Sequence, residues 1–207
     1  MSRWLNLDKG IFEYEGIYDM PKLNPVTDCD ASTWIGFNYC LSTKRTEEKK
    51  QKTGVHFFLT DEQFERCWKD PQRYGEMLSA YNCVLSPDFS MYGIFPKAMQ
   101  LWNNYRKHWL GRYWQEMGLT VIPTIAWGDE DTFDWCFDGD PKNGIVAVSN
   151  IGCVKNPKNH EVFLRGYKEM LRRLNPKLVL FYAHKIYDYP GNIQYIHFSL
   201  DKRDQAV

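Results

Sequence analysis

The fold turns on the stretch Leu119-Thr120-Val121-Ile122-Pro123-Thr124-Ile125-Ala126-Trp127 and the turn that follows it, Gly128-Asp129-Glu130-Asp131. The first part is rich in β-branched side chains and reads as a strand; Pro123 has no N–H to give a ladder and implies a bulge, an edge or a strand end there. Its exit is acidic. Just upstream, Pro96 opens a segment to Met117 in which Met99, Leu101, Trp102, Tyr105, Trp109, Leu110, Tyr113 and Trp114 recur at helical intervals, with Gly118 as the stop signal. The unit is therefore helix, strand, polar turn.

The same unit recurs in both directions. Downstream, a short helical piece spans Thr132–Phe137, and Gly144–Ser149 is a continuous apolar run of the kind buried on both faces of a parallel sheet. Helix 159–174 and strand-like runs at Lys177–Tyr182 and Ile193–Phe198 complete that side. Upstream, Cys83-Val84-Leu85-Ser86 reads as a strand running out at Asp88. It is preceded by Phe64, Cys67 and Trp68 at helical spacing and, after Pro71, by Tyr74, Met77, Leu78 and Tyr81. Val55–Leu59 is β-prone, with Thr60 or Asp61 placed to cap the next helix, and Trp34–Tyr39 supplies a first strand. The dense charge run Lys44–Lys52 reads as a solvated loop.

Six or seven strands alternating with helices predict an α/β fold with mostly parallel strands, a small or incomplete β/α-barrel-like arrangement, the alternative being an open doubly wound sheet. Polar residues that recur after successive strands favour the barrel-like form, because an open sheet gathers its ligand site at one switch point. Residues 1–30 read as an irregular lead-in that wraps the domain, 31–200 as a single α/β domain and 201–207 as a frayed tail.

Composition narrows the function classes. Net charge is zero, so overall charge names no partner. The six cysteines lie at wide, irregular intervals without a Cys-x-x-Cys pair, which argues against zinc and for free thiols in a reducing cytoplasm. No apolar run reaches the ~20 residues that span a bilayer, so no membrane partner is expected. Gly-rich phosphate loops, Gly-x-Ser-x-Gly elbows and His-Glu-x-x-His are missing.

If the strands are parallel, their C-terminal ends share one face, and that face collects Asn38, Asp61, Asp88, Ser90, Asp129, Glu130, Asp131, Asn150, His184 and Lys185. Asp88, after a strand and a proline, could act as a general base or metal ligand, or serve as a turn or cap residue. Asp129 and Glu130 could work beside it, with one acid of the 129–131 turn capping the next helix. Clustered carboxylates attract a hard divalent ion, so magnesium or manganese held by Asp88 and Asp129 would be the metal to test. Trp127 before Gly128 could wall a base or sugar, or pack in the core. His184 and Lys185 could stabilise negative charge or bind phosphate, and Ser90 and Asn150 could contact a ligand. Cys153 could be a nucleophile or a small buried residue. Lys97, Arg106, Lys107 and Arg112, interleaved with Trp102, Tyr105, Trp109 and Tyr113, could track a nucleic-acid strand, or form the charged face of a helix.

Val55-His56-Phe57-Phe58, Ser86-Pro87-Asp88-Phe89-Ser90, Met99-Gln100-Leu101-Trp102-Asn103, Ile122-Pro123, Trp127-Gly128-Asp129, Phe137-Asp138-Gly139 and Gly152-Cys153 occur in that order. Together they resemble the bacterial and phage family catalogued as domain of unknown function 4417, over most of residues 19–185. The resemblance implies a mobile-element setting and carries over no catalytic residues. In such a setting nucleic-acid processing, or capture or destruction of a nucleotide signal used in host defence, fits better than central metabolism. The reading is therefore an enzyme, a hydrolase or transferase, acting on a phosphorylated or nucleotide-like substrate at the strand ends. The alternatives are a non-enzymatic binder of nucleic acid or of a nucleotide signal, and an inhibitor of a host protein.

Overall fold

Pro123 marks a seam in the sheet. In the computed structural model, which describes residues 5–40, 45–183 and 187–196, the strand containing it pairs on one side with the strand before it in sequence and on the other with the strand after it. Alternate residues of a central parallel strand bond to alternate neighbours. Thr120 and Ile122 carbonyls accept from Val84 and Ser86, while the Pro123 carbonyl accepts from Ala147 N–H and Ile125 N–H donates to Ala147 (2.8 Å each). Pro123 has no N–H to offer on that second side, and only the bridge Thr124–Ala147 joins the two ladders there.

Among the described residues seven parallel strands run in chain order across that seam. Among the described residues the lead-in contributes a hairpin of two short strands, β1 (Tyr14–Glu15) and β2 (Met20–Pro21). The first ladder is β3 (Thr33–Gly36), β4 (Thr53–His56), β5 (Cys83–Leu85) and β6 (Val121–Ile122); the second is β7 (Ile145–Ser149), β8 (Leu178–Tyr182) and β9 (Ile193–Ile196). Among the described residues no ladder joins β9 to β3, so no closed barrel forms and the pairing fits the open alternative. The strand order never reverses, so the polar strand ends lie along one edge.

Alternation along the strands sorts the core. Ile35, Val55, Val84 and Val121 face α3 (Glu65–Lys69), α4 (Pro71–Leu78) and α5 (Lys97–Glu116). Val146, Val148, Val179 and Phe181 face α6 (Pro157–Leu174), which buries Phe163, Gly166, Tyr167, Met170 and Leu174 on one stripe. The opposite strand faces share a third apolar cluster of Trp34, Cys83, Leu85, Ile122, Ile145, Ala147, Leu180 and Ile196, with Phe58 stacked on Tyr182 at 5.1 Å. Val26 and Ala31 of the lead-in join that cluster, and the Val26 carbonyl accepts from Ile145 N–H at 2.7 Å.

Several local expectations shift. Trp34–Tyr39 is not one strand: β3 ends at Gly36, where the Asn38 side chain folds back to within 2.6 Å of where a Cβ would stand, and α1 (Phe37–Cys40) begins. The charge run is not all loop, because Thr46 accepts from Lys49 N–H and caps the single turn α2 (Glu47–Lys50), closed by Lys50–Glu47 at 2.7 Å. Thr60 precedes the 3-10 turn Asp61–Gln63 but makes no side-chain cap.

Helix α5 departs furthest from expectation. It is wrapped on nearly all sides, so that Gln100, Asn103, Asn104, Arg106, Lys107 and His108 are buried with Trp109 and Trp114. Most basic residues of α5 are engaged or covered: Arg106 binds Glu65, Arg112 binds Glu116, and Lys107 is 2% exposed.

Candidate functional site

A cleft opens at the C-terminal edge of the strands in two adjoining lobes, of about 380 and 370 Å³, with Met91, Tyr92, Trp127, Ile151, Cys153 and Phe163 lining both. Asp88 and Ser90 stand in the first lobe, Gly128 and Asp129 in the second. The size suits a small organic ligand and the walls are mostly apolar.

The segment bearing Asp88 is held by its neighbours at almost every polar atom. Thr124 N–H donates to Ser86 Oγ (2.8 Å) and the Thr124 hydroxyl to the Ser86 carbonyl (2.7 Å). Beyond Asp88, the Asp61 carboxylate accepts from Ser90 N–H (3.2 Å) and Ser90 Oγ (2.8 Å), and Asn103 Nδ2 donates to the Ser90 carbonyl (2.7 Å). Arg106 lies 3.9 Å over the Phe89 ring, fixed by two bonds to Glu65 (2.8 and 2.9 Å) and one to Asn103 (2.7 Å). Asp61 therefore works as a long-range acceptor.

Within this frame Asp88 makes no hydrogen bond or ion pair among the described residues. Burial pushes its carboxyl up to about 7; the Lys107 charge pulls it down and Asp61 pushes it further up. Lys107 Nζ is buried and without a hydrogen-bond partner among the described residues, so its charge acts on Asp88 through dry protein.

Trp127 forms the shared wall. Its ring packs at 5.3 Å from Phe163 and 6.2 Å from Phe137, and at Gly166 of α6 a Cβ would fall 2.3 Å from its indole nitrogen. A mid-helix glycine costs about 1 kcal/mol against alanine, and here it makes room for the indole. The adjoining rim, Tyr92-Gly93-Ile94, is tied by Gln100 Nε2, which donates to the Tyr92 and Phe95 carbonyls (2.8 and 3.2 Å).

The acidic turn splits. Asp129 faces the second lobe against Gly93, while Glu130 pairs with Arg165 of α6 at 2.7 Å and Asp131 pairs with Lys97 of α5. Asp129 occupies the cap position without a side-chain capping bond; Thr132 bonds its carbonyl instead, at 2.7 Å. Asp88 and Asp129 line different lobes, and among the described residues no three His, Cys, Asp or Glu gather.

The structure thus brings Asp88, Ser90, Trp127, Gly128, Asp129 and Cys153 to one cleft. Glu130 stands in an ion pair outside it. Asn150 is fully buried, donating to the Tyr189 hydroxyl at 3.1 Å, and props the cleft from within. His184 and Lys185 lie outside the described residues. The Cys153 thiol is pushed up by burial and by the Asp88 charge, which opposes thiolate formation. Among the described residues no Lys, Arg or His lines either lobe.

Two residues hold places that the sequence reading did not give them. Lys107 resembles an ordinary helix-surface lysine; the signal that it is not lies in the aromatic residues interleaved along α5, which help bury most of its middle turns. His56 is 1% exposed below the Phe58 edge of the cleft, its ring 4.7 Å from Tyr182, and burial pushes it down to about 4. A histidine inside an apolar strand run was the available hint.

The chain matches the family described as a domain of unknown function (DUF4417) over residues 12–198, and it belongs to that family. It is 40% identical over 172 residues to the Gene 1 protein of Mycobacterium phage L5, covering 83% of this chain and 74% of that protein. To the Gene 1 protein of Mycobacterium phage D29 it is 37% identical over 180 residues, covering 85% of this chain and 64% of the relative, just under two thirds of its length. No solved structure matches. Among the described residues no helix is long and apolar enough to cross a membrane.

Proposed function

We propose that this member of the family is an enzyme, a hydrolase or transferase, that moves a proton through Asp88 on a nucleobase-bearing small molecule held against Trp127. The observation that carries the reading is a carboxyl group that no described residue bonds, inside a segment whose other polar atoms are fixed. A carboxyl poised near 7 can both donate and accept, which matches the donor–acceptor edge of a nucleobase and suits proton transfer at neutral pH. The rings of Trp127 and Phe163, 5.3 Å apart and tilted by 34°, offer aromatic faces for a ring to pack on. Because the described lining holds no cation, the buried part of the substrate is the base or sugar, and any phosphate lies at the mouth. Asp129 then faces the portion of the substrate in the second lobe.

A panel of nucleosides and nucleotides, followed by mass spectrometry for turnover and calorimetry for binding, tests this reading. Asp88→Asn is expected to lower turnover by roughly 10²–10⁴-fold while binding persists, and Trp127→Ala to weaken binding. Turnover unaffected by Asp88→Asn would refute the role of Asp88. A second reading, ligand capture without chemistry, draws on one observation: the described lining offers no other group poised for catalysis beside Asp88, since the Cys153 thiol is held protonated. Stable binding with no product from any ligand of the panel would select it.

A further inference from the structure

At the opposite edge of the sheet two thiols meet. Cys29 of the lead-in and Cys83 at the start of β5 lie with their sulfurs 3.0 Å apart, far apart in sequence and both reduced. Cys83 is 1% exposed in the apolar cluster between the ladders, whereas Cys29 is half-buried and reachable from solvent. We propose that Cys29 and Cys83 form a reversible redox pair, a disulfide site that staples the lead-in under the sheet.

The geometry supports each step. A disulfide needs the sulfurs at about 2.05 Å, so they must close by roughly 1 Å, and the lead-in can supply that movement from the exposed side. The Cys83 contact holds the Cys29 thiol down at about 7, so a substantial fraction is thiolate at neutral pH, while the Cys40 and Cys136 thiols are pushed up to about 12 by burial. The oxidant is a low-molecular-weight disulfide. Cys29 thiolate attacks one of its sulfurs, the sulfur–sulfur bond breaks, and one thiol leaves. Cys83 then attacks the Cys29 sulfur of the mixed disulfide, its proton passes to the departing thiolate, and the second thiol leaves. Two protein thiols are oxidised and one small disulfide is reduced to two thiols.

The bond would lock a segment that already closes the floor of the fold. Val26 bonds Ile145, the Thr27 carbonyl accepts from Lys177 Nζ at 2.9 Å, and Asn24 exchanges two bonds with the Gln115 side chain at 2.8 and 3.0 Å. The cleft lies at the other edge and shares none of these residues.

The full chain incubated with oxidised glutathione at neutral pH, alkylated and digested, gives the test by mass spectrometry. The expected result is a Cys29–Cys83 cross-link, reversed by reductant, with Tm raised by about 5–10 °C. Cys29→Ser, at the half-exposed position, should give neither cross-link nor Tm change, and Cys83→Ala should trap glutathione on Cys29. A wild-type protein that retains glutathione on Cys29, cross-links through other cysteines, or forms the bond with unchanged Tm would overturn the proposal.

Discussion

The loop after β5 holds one half-buried acid and ties down everything around it, whereas the loop after β6 exposes three acids and pairs two of them with neighbouring helices. Both carry carboxylates to the same edge. In the first, Asp61, Asn103, Thr124 and Arg106 satisfy the backbone and flanking side chains, so Asp88 has no local work left. In the second, Glu130 and Asp131 brace α6 and α5 in water, where such pairs contribute little. The difference teaches that an acid is set apart for chemistry by what its neighbours have already satisfied, more than by how many acids stand beside it.

The largest test is the pH dependence of stability. Asp88 has a folded value of about 7 against about 3.9 unfolded, so the folded state holds its proton more tightly. Its contribution is fully present below about 4 and is lost as pH rises through about 7. Urea denaturation of wild type and Asp88→Asn should therefore show the variant gaining on the wild type across that window, by up to about 4 kcal/mol. A difference that stays flat with pH would erase the contrast between the loops.

Next in size is Arg106→Ala, which removes the brace over Phe89 and strands Glu65 and Asn103. It should cost about 3 kcal/mol in the same assay, with Arg106→Lys recovering only part because one ammonium cannot replace the planar fork. Smallest is the pair Glu130→Ala and Asp131→Ala, each expected to cost under about 1 kcal/mol and less in high salt. A loss at Glu130 or Asp131 as large as that at Arg106 would place the second loop in the same category as the first.

Much of the architecture was legible because it rests on short-range pattern. The 3.6-residue spacing in α5 and α6, the proline and glycine at the ends of α5, and the apolar runs of β7 and β8 each declare themselves within a few residues. Pro123 was read as a bulge, an edge or a strand end, and β6 ends at Ile122, directly before it. What stayed hidden depends on partners distant in the chain. Asp61 looks like a helix cap, and only folding brings Ser90 to it. Lys107 looks solvated, and only the wrapping of α5 buries it. Asp129, Glu130 and Asp131 are indistinguishable as letters, and the positions of Lys97 and Arg165 separate them.

The floor of the fold carries a consequence for synthesis. Residues 24–27 are made before Gln115, Ile145 and Lys177, the groups that receive them. The strands can add one by one in chain order, each against the last, but the lead-in must wait, loosely tethered, until most of the chain has been translated. Its thiol at Cys29 spends that interval in water without its neighbour, so the nascent chain meets small disulfides before the finished protein does.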